Sequence, residues 1–255
     1  MSENIEQQEK KFRIPKLVMP TKEQLESSSA VWWANLEPIS FGKWSKEVKE
    51  VSIPFIQIAV SDEWCHRAAV PEVYPRDEIT LDMSFVPAGW YPFFAKTNSR
   101  SGKDVGSNKY YSVRHFIESL TASARTHEDL CLFSHSGGKC EIIVRPWIEI
   151  PKRNEWRLFV KNGELAGISQ YHYFDYFDYS RREIGAAEWG CKKVMDVILR
   201  SMPIRDFVCD IFITDDYPVL IEINPFGLSD PCVFGNYASL DGSTKFAVEI
   251  KSGGL

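Results

Sequence analysis

The sequence of 255 residues predicts an α+β protein in which antiparallel hairpins alternate with helices. Two strand-like runs, 156–161 and 164–170, are joined by Asn162-Gly163, the dipeptide typical of a type I′ hairpin turn. Two further apolar runs, each carrying one acid, are separated by a short loop of turn residues. Between these hairpins, residues 181–200 have the spacing of an amphipathic helix. This alternation favours α+β packing over a doubly wound parallel sheet.

The chain is expected to divide into four segments. The first is polar and is expected to be flexible, because it has few apolar residues to bury. The second has one clear strand, 53–60, and then a connector interrupted by prolines as far as Pro87. The third begins with a short strand that ends in Lys96. The segments are a flexible N-terminal segment (1–30), an N-terminal region (31–89) and two segments with clearer strand and helix patterns (90–150 and 151–255).

Composition and charge limit the kind of function. The hydrophobic fraction of 44% and the charged fraction of 25% are ordinary for a globular protein. A net charge of -5 argues against general binding to nucleic acids or acidic membranes. The polar N-terminus lacks the apolar core of a signal peptide, and no run is long enough to cross a membrane. Six scattered cysteines favour reduced thiols. We therefore expect a cytoplasmic protein with no nucleic-acid or membrane partner.

Two acids lie inside apolar runs, where a carboxylate is costly to bury unless it is paired or binds a cation. A hairpin loop centred on Asp216 would place Asp210 opposite Glu222, because both lie equally far from the loop centre. Asn224 shares a face with Glu222, since it follows two residues later on the same strand. A loop centred half a residue away would break this arrangement. Three oxygen-bearing side chains on one face predict a Mg²⁺ site beside phosphates, and the alternative is solvent-facing acids.

Three cations occur in strand contexts next to aromatic residues, namely Lys96, Arg145 and Arg157. Such cations can point into a cleft and bind phosphates, and arginine can bind them through two parallel hydrogen bonds. The alternative for each is a half-buried side chain that extends its charge into water. Three of them together with the acid-bearing hairpin favour phosphate binding.

Other patterns give weaker signals. The glycine-bearing segment 134–139 does not have the spacing of a phosphate-binding loop and is predicted to be a hairpin turn. The five histidines lack metal-ligand spacing, and no serine has the context of a hydrolase nucleophile. The aromatic run 171–179 is typical either of base stacking or of packing, and the acidic charge favours packing.

Four blocks of residues occur in a fixed order along the chain, and together they are a more specific family signature than any one block alone. They are Lys96-Thr97-Asn98 with Lys103-Asp104; 145–149; 155–161 with 167–170, Tyr173, Tyr176 and Asp178; and 206–210 with 224–227 and Asp230. From about Phe93 to Phe234, the chain resembles the cell division cycle protein 123 family, a divergent branch of the ATP-grasp fold. The resemblance implies two lobes with antiparallel sheets that clasp a nucleotide. These would be a small lobe with a hinge (90–150) and a large lobe with the metal-binding hairpin (151–255).

The resemblance also implies roles for individual residues and two cofactors, ATP and Mg²⁺. Lys96 and Arg157 would contact the triphosphate as the catalytic cations, with Lys103 and Arg145 beside them. The backbone of Trp147 and Ile148 would contact the edge of the adenine ring, and Glu149 would accept hydrogen bonds from the ribose hydroxyls. The Mg²⁺ ion would be held by Asp210, Glu222 and Asn224. Two positions depart from the family pattern: Glu222 stands in place of an aspartate, and Tyr171 in place of a basic residue.

Three functions follow from the resemblance. The first is an ATP-dependent ligase that acts through an acyl phosphate and joins a carboxylate to a protein or small-molecule acceptor. The second is an ATP-regulated assembly chaperone for a protein complex, with little turnover and a role like that of family members that help assemble a translation initiation factor. The third is a nucleotide-binding core without activity, which the presence of Lys96, Asp210 and Asn224 disfavours.

Overall fold

The computed structural model describes residues 21–70, 74–75, 78–215, 217–240 and 246–248. Their arrangement confirms the predicted α+β class. The helices are α1 (Lys22–Leu36), α2 (Lys46–Glu50), α3 (Asp62–Ala69), α4 (Val113–Ala122), α5 (Ala124–Ser136) and α6 (Arg181–Ser201). The strands are β1 (Ile56–Ala59), β2 (Phe93–Thr97), β3 (Lys109–Tyr110), β4 (Glu141–Pro146), β5 (Glu155–Lys161), β6 (Glu164–Gln170), β7 (Phe207–Ile213), β8 (Pro218–Pro225) and β9 (Phe246–Ala247).

The small-lobe sheet has the strand order β1-β4-β2-β3, and its neighbouring strands are antiparallel. Its edge strand β1 comes from the N-terminal region, so that region is part of the same sheet. Helix α5 packs against α1, α3 and α4 beside this sheet. Aromatic edges of Trp32 and Phe133, whose ring centroids are 4.7 Å apart, hold α1 on α5.

The large-lobe sheet has the order β8-β7-β5-β6-β9, with only β9 parallel to its neighbour. The turn between β5 and β6 has positive φ at both Asn162 (54°) and Gly163 (77°), which confirms the predicted type I′ hairpin. Helix α6 lies against this sheet. Its fully buried stripe has helical spacing and consists of Ala187, Cys191, Val194 and Ile198.

A short N-terminal segment, 51–53, links the two sheets. The Ile53 amide donates to the Leu220 carbonyl at 3.1 Å, and the Leu220 amide donates to the Val51 carbonyl at 2.8 Å. These bonds add a parallel bridge to the edge of β8, only a few residues before the chain enters β1 of the other sheet. The N-terminal region thus ties the two lobes together.

Three helices that begin at a hydroxyl cap were not predicted from the sequence. Residues 22–30, within the segment expected to be flexible, belong to α1, which starts with a capping box between Thr21 and Gln24, whereas residues 1–20 lie outside the described chain. The connector before Pro87 contains α3, capped by Ser61. Segment 134–139 is not a hairpin turn, because α5 runs to Ser136 and ends at Gly137 in the left-handed conformation (φ 65°).

Within the described chain, none of the helices is long and apolar enough to cross a membrane. All six cysteines are free thiols, as the sequence predicts.

Candidate functional site

The β7–β8 hairpin places its two acids face to face. Asp210 pairs with Glu222, while nearer the turn Ile213 pairs with Pro218. The turn is therefore centred between residues 215 and 216, half a residue from the predicted centre. One extra residue of β8, Ile221, forms a bulge between these pairs and restores the predicted register.

A buried ion pair connects Asp210 to the neighbouring strand β5. Arg157 lies opposite Asp210 in the sheet and donates two hydrogen bonds, from Nε at 2.7 Å and from Nη2 at 2.8 Å. Its third nitrogen, Nη1, donates to the carbonyl of Asp230 at 2.9 Å. Both side chains are almost fully buried, at 5% and 1% exposure, so the charges depend on each other.

A second ion pair crosses from one sheet to the other. Lys96, at the end of β2, places its ammonium 2.6 Å from a carboxylate oxygen of Glu222. Lys96 is only 5% exposed. Although burial opposes ionisation of Glu222, the nearby charges of Lys96 and Lys103 lower the pKa of its carboxyl below the usual range. Glu222 therefore carries its charge at neutral pH.

Asn224 lies between the two acids. Its amide nitrogen is 3.2 Å from Glu222 and 3.4 Å from Asp210. Burial raises the pKa of Asp210 to about 6, against the opposing effect of Arg157 and with a further contribution from Glu222. Burial and neighbouring cations thus separate the pKa values of two adjacent carboxyls.

Arg145, on β4, is a buried cation without an ion pair to any described carboxylate. It is 3% exposed, and its guanidinium lies 4.8 Å from the ring centre of Phe41 and 5.8 Å from that of Phe55. Its Nε and Nη2 have no hydrogen-bond partner among the described residues. Burial lowers the pKa of Arg145 to about 10, opposed by Glu222. A buried guanidinium in this state is costly unless an anion joins it.

Arg145 lines a cavity of about 250 Å³ between the sheets, which we call the hinge cavity. The segment that connects the lobes forms one wall, where the Trp147 amide donates to the Pro92 carbonyl at 3.2 Å. The indole of Trp147 donates to Glu149 at 2.7 Å, and Lys109 lies 3.1 Å from the same carboxylate. The lining also includes Ile148, Asp210 and Glu222.

A second cavity of about 640 Å³, the basic cavity, adjoins the first. The two cavities share the lining residues Ser101, Lys103, Tyr171 and Glu222. The Lys103 ammonium donates to the Tyr171 hydroxyl at 2.8 Å, and the Arg157 guanidinium lies 4.8 Å from the ring centre of Tyr171. Desolvation opposes the charge on Lys103, yet Tyr171 and Glu222 raise its pKa to about 12. The cations that line the basic cavity are Lys96, Arg100, Lys103, Arg125 and Arg157.

Comparison with known proteins identifies the family. A model of the D123 family matches residues 114–251. The chain belongs to the D123 family. This match, together with curated relatives named cell division cycle protein 123, confirms the resemblance predicted from the sequence.

The relatives within this family match a limited part of their own length. A translation initiation factor eIF2 assembly protein from Vanderwaltozyma polyspora is 34% identical over 98 residues, which are 37% of this chain and 26% of the relative. A cell division cycle protein 123 from Eremothecium gossypii is 32% identical over 99 residues, 37% of this chain and 27% of the relative. The match thus spans about a quarter of each curated relative.

A solved member of the family has the same fold. The structure of Cdc123 from Schizosaccharomyces pombe aligns with a TM-score of 0.72 over 92% of this chain and 100% of that chain. The identity is 19%, so the alignment shows a shared fold.

The fold brings all ten predicted site residues of this D123 protein into one cleft. Six of them form the charged centre: Lys96, Arg145, Arg157, Asp210, Glu222 and Asn224. The other four line the hinge cavity at its edge: Lys103, Trp147, Ile148 and Glu149. Among the residues that the structure describes, no group of three or more His, Cys, Asp or Glu side chains could hold a metal ion.

Two acids that orient the cleft were not predicted as site residues. Asp129, fully buried on α5, accepts hydrogen bonds from Thr97 at 2.5 Å and Ser99 at 3.2 Å, just after Lys96. Asp104 accepts from Ser123 at 2.5 Å and from the first amide of α5 at 2.9 Å. Together they hold the loop that carries Lys103 against α5, at the start of the loop and just after Lys103. Asp129 gave no signal because α5 itself was not predicted.

Proposed function

We propose that this D123 protein binds ATP with Mg²⁺ in the cleft between its two sheets and acts as an assembly factor for a protein complex. The buried guanidinium of Arg145, with two unpaired donors beside a cavity, is the observation that carries the nucleotide part. A triphosphate supplies the anion that this group lacks. Lys96 and Arg157 are the adjacent cations for the remaining phosphate oxygens.

The hinge cavity is the place for the adenosine part. The backbone at Trp147 and Ile148 would read the adenine edge, and Glu149 would accept the ribose hydroxyls. Support comes from the position of all three residues on the wall of one cavity with Arg145. Cavities at the junction of two lobes with few polar groups are common sites for nucleotides.

The residues Asp210, Glu222 and Asn224 fit Mg²⁺ in part. Two carboxylates and an amide oxygen are the hard donors that this ion prefers, and it commonly keeps water and phosphate oxygens as its other ligands. The incomplete protein cage is consistent with such a shared site. The amide of Asn224 now donates to both acids, so it would turn its oxygen toward the ion. Bound Mg²⁺ would neutralise phosphate charge.

The assembly role rests on the relatives. Proteins of the family are named translation initiation factor eIF2 assembly proteins, and the first protein partner to test is therefore eIF2. In this role, the nucleotide would order the cleft and turn over slowly.

A second candidate is an ATP-dependent ligase that acts on a carboxylate through an acyl phosphate. The basic cavity favours it, because Lys103 and Arg125 line this space without an ion pair to a described carboxylate. A carboxylate bound there would lie next to the phosphate-binding cations.

Calorimetric titration with ATP in Mg²⁺ buffer tests the nucleotide part. Lys96→Met is expected to weaken binding at least tenfold, because a phosphate contact to a buried cation is lost. Lys192→Met is the control. It removes a lysine from the exposed ion pair Lys192–Glu188, whose distance of 2.7 Å is close to that of Lys96–Glu222, and it should leave ATP affinity unchanged. Undetectable ATP binding by the wild type would refute both candidate functions.

Release of ADP then separates the two roles. The protein is incubated with ATP, Mg²⁺ and either purified eIF2 subunits or a fractionated cell extract. Nucleotide-dependent capture of an eIF2 subunit with little ADP release supports the assembly factor. Stoichiometric ADP release with a new covalent product, abolished by Asp210→Asn, supports the ligase.

A further inference from the structure

A groove on the large lobe lies away from the nucleotide cleft. It has a volume of about 330 Å³ and shares no lining residue with the hinge cavity or the basic cavity. It runs between α6, the end of α2 and the start of β8. We call it the α6–β8 groove, and its main lining residues are Val51, Trp189, Lys193, Arg200, Tyr217 and Val219.

One stripe of α6 forms a wall of this groove. Trp189, Lys193, Val197 and Arg200 follow each other at intervals of four, four and three residues, so they share a helix face. The opposite stripe of α6 is the buried one that packs on the sheet. The groove face of α6 is therefore available to something outside the described chain.

The groove exposes large aromatic side chains. Trp189 is 51% exposed and Tyr217 is 59% exposed, although the floor beneath them is apolar and includes Val219 at 9%. Tryptophan and tyrosine contribute much of the affinity in protein interfaces, because they bury a large area at a small entropic cost. The groove thus has an apolar centre suited to one large side chain.

The charge around this centre is positive and uncompensated. Lys193 lies 5.9 Å above the Trp189 ring, and Arg200 donates from Nε to the backbone carbonyl of Asp196 at 3.0 Å. Neither makes an ion pair with a described carboxylate. The one acid of the lining, Glu50, is paired with Lys46 at 3.7 Å. On a chain whose net charge is -5, this local excess favours an acidic ligand.

We propose that the α6–β8 groove binds a short segment of a protein partner in which a large apolar side chain is flanked by aspartate or glutamate. The apolar side chain packs between Trp189 and Tyr217, and the acids pair with Lys193 and Arg200. The site is independent of nucleotide binding in the cleft. It would give a protein partner a second contact outside the cleft.

Selection from a phage-displayed library of random twelve-residue peptides on the immobilised full chain tests the proposal. We expect enriched peptides to combine at least one large apolar residue with neighbouring Asp or Glu. Fluorescence anisotropy of the best peptide should show at least tenfold weaker binding to Trp189→Ala and to Lys193→Glu. Both positions are exposed, so these variants are expected to keep the thermal midpoint of the wild type.

Phe174→Ala is the matched control, because Phe174 is also an exposed aromatic residue (88%) but does not line the groove. It should bind the peptide like the wild type. Absence of enrichment, enrichment without acidic residues, or equal binding to Trp189→Ala would overturn the proposal. A dimer in light scattering that Trp189→Ala dissociates would also overturn it, in favour of self-association.

Discussion

Asp210 faces Glu222 because β8 contains one extra residue, Ile221, between the turn and the pair. In the register set by the turn alone, Asp210 would face Ile221, and the two acids would not be opposed. The bulge shifts the pairing by one residue and brings both carboxylates together. A local irregularity of the backbone therefore sets the electrostatics of the cleft.

Replacing Arg145 with methionine is expected to weaken ATP binding without lowering the stability of the protein. ATP affinity should fall at least tenfold, because the guanidinium is a phosphate ligand in the proposed site. The thermal midpoint should stay equal or rise, since an unpaired buried cation is removed and methionine fills a similar volume. Calorimetry and thermal unfolding check the two effects.

The exposed Arg114→Met is the control for that variant and should change neither quantity. A lower thermal midpoint with unchanged ATP affinity would mean that Arg145 serves packing against Phe41 and Phe55 instead.

Removal of Mg²⁺ should weaken ATP binding at least tenfold. In the absence of the ion, the triphosphate would meet the charges of Asp210 and Glu222, whose present partners Arg157 and Lys96 are needed by the phosphates. For the same reason, Mg²⁺ without ATP should bind weakly. Titration of ATP in EDTA and in Mg²⁺, and of Mg²⁺ alone, measures this coupling. In Glu222→Gln the dependence on Mg²⁺ should shrink, and equal ATP affinity in both buffers would contradict the expectation.

Affinity for Mg²⁺ with ATP should fall as the pH drops below about 6. Burial raises the pKa of Asp210 to about 6, and the ion requires the ionised carboxylate. Above pH 7 the affinity should be constant, and below 6 it should decrease by up to about tenfold per pH unit. The affinity of the wild type is divided by that of Asp210→Asn at each pH. Because protonation of ATP affects both proteins equally, the ratio reports only on the protein. A ratio that does not vary with pH would exclude Asp210 as the titrating group.

The Asp104→Ala variant should lose both stability and ATP affinity. The carboxylate accepts hydrogen bonds at the start of α5, and removal of such a cap costs about 1 kcal/mol. For a chain of this size, that corresponds to a decrease of roughly 2–4 °C in the thermal midpoint. Affinity should fall several-fold, because Lys103 is the adjacent residue of the same loop. The control is Asp82→Ala, which removes a comparable local bond to the amide of Ser84. It should leave ATP affinity unchanged.

Local patterns predicted the large lobe well. The Asn162-Gly163 turn, the amphipathic α6 and the acid-bearing hairpin depend on neighbouring residues, so periodicity and turn chemistry were sufficient. Helices α3 and α5 were missed because polar residues interrupt their apolar spacing, although Ser61 and Ser123 marked their starts.

Contacts between distant parts of the chain were outside the reach of such patterns. The pairing of Lys96 with Glu222 depends on how the sheets pack, and so does the position of Tyr171 between Lys103 and Arg157. The sequence indicated which residue types were present but did not specify which cation would neutralise which acid. The resemblance to the family suggested roles for them without this pairing.

The ion pair between Lys96 and Glu222 has a consequence for dividing the molecule. The segment that matches the D123 family begins at residue 114, after Lys96 and after the loop of Lys103. A fragment cut at that boundary would keep Asp210, Glu222 and Arg157 but would leave Glu222 without its counterion. The segment that the family model matches is therefore smaller than the charged cleft, and the charges of the cleft are balanced only when both sheets are present.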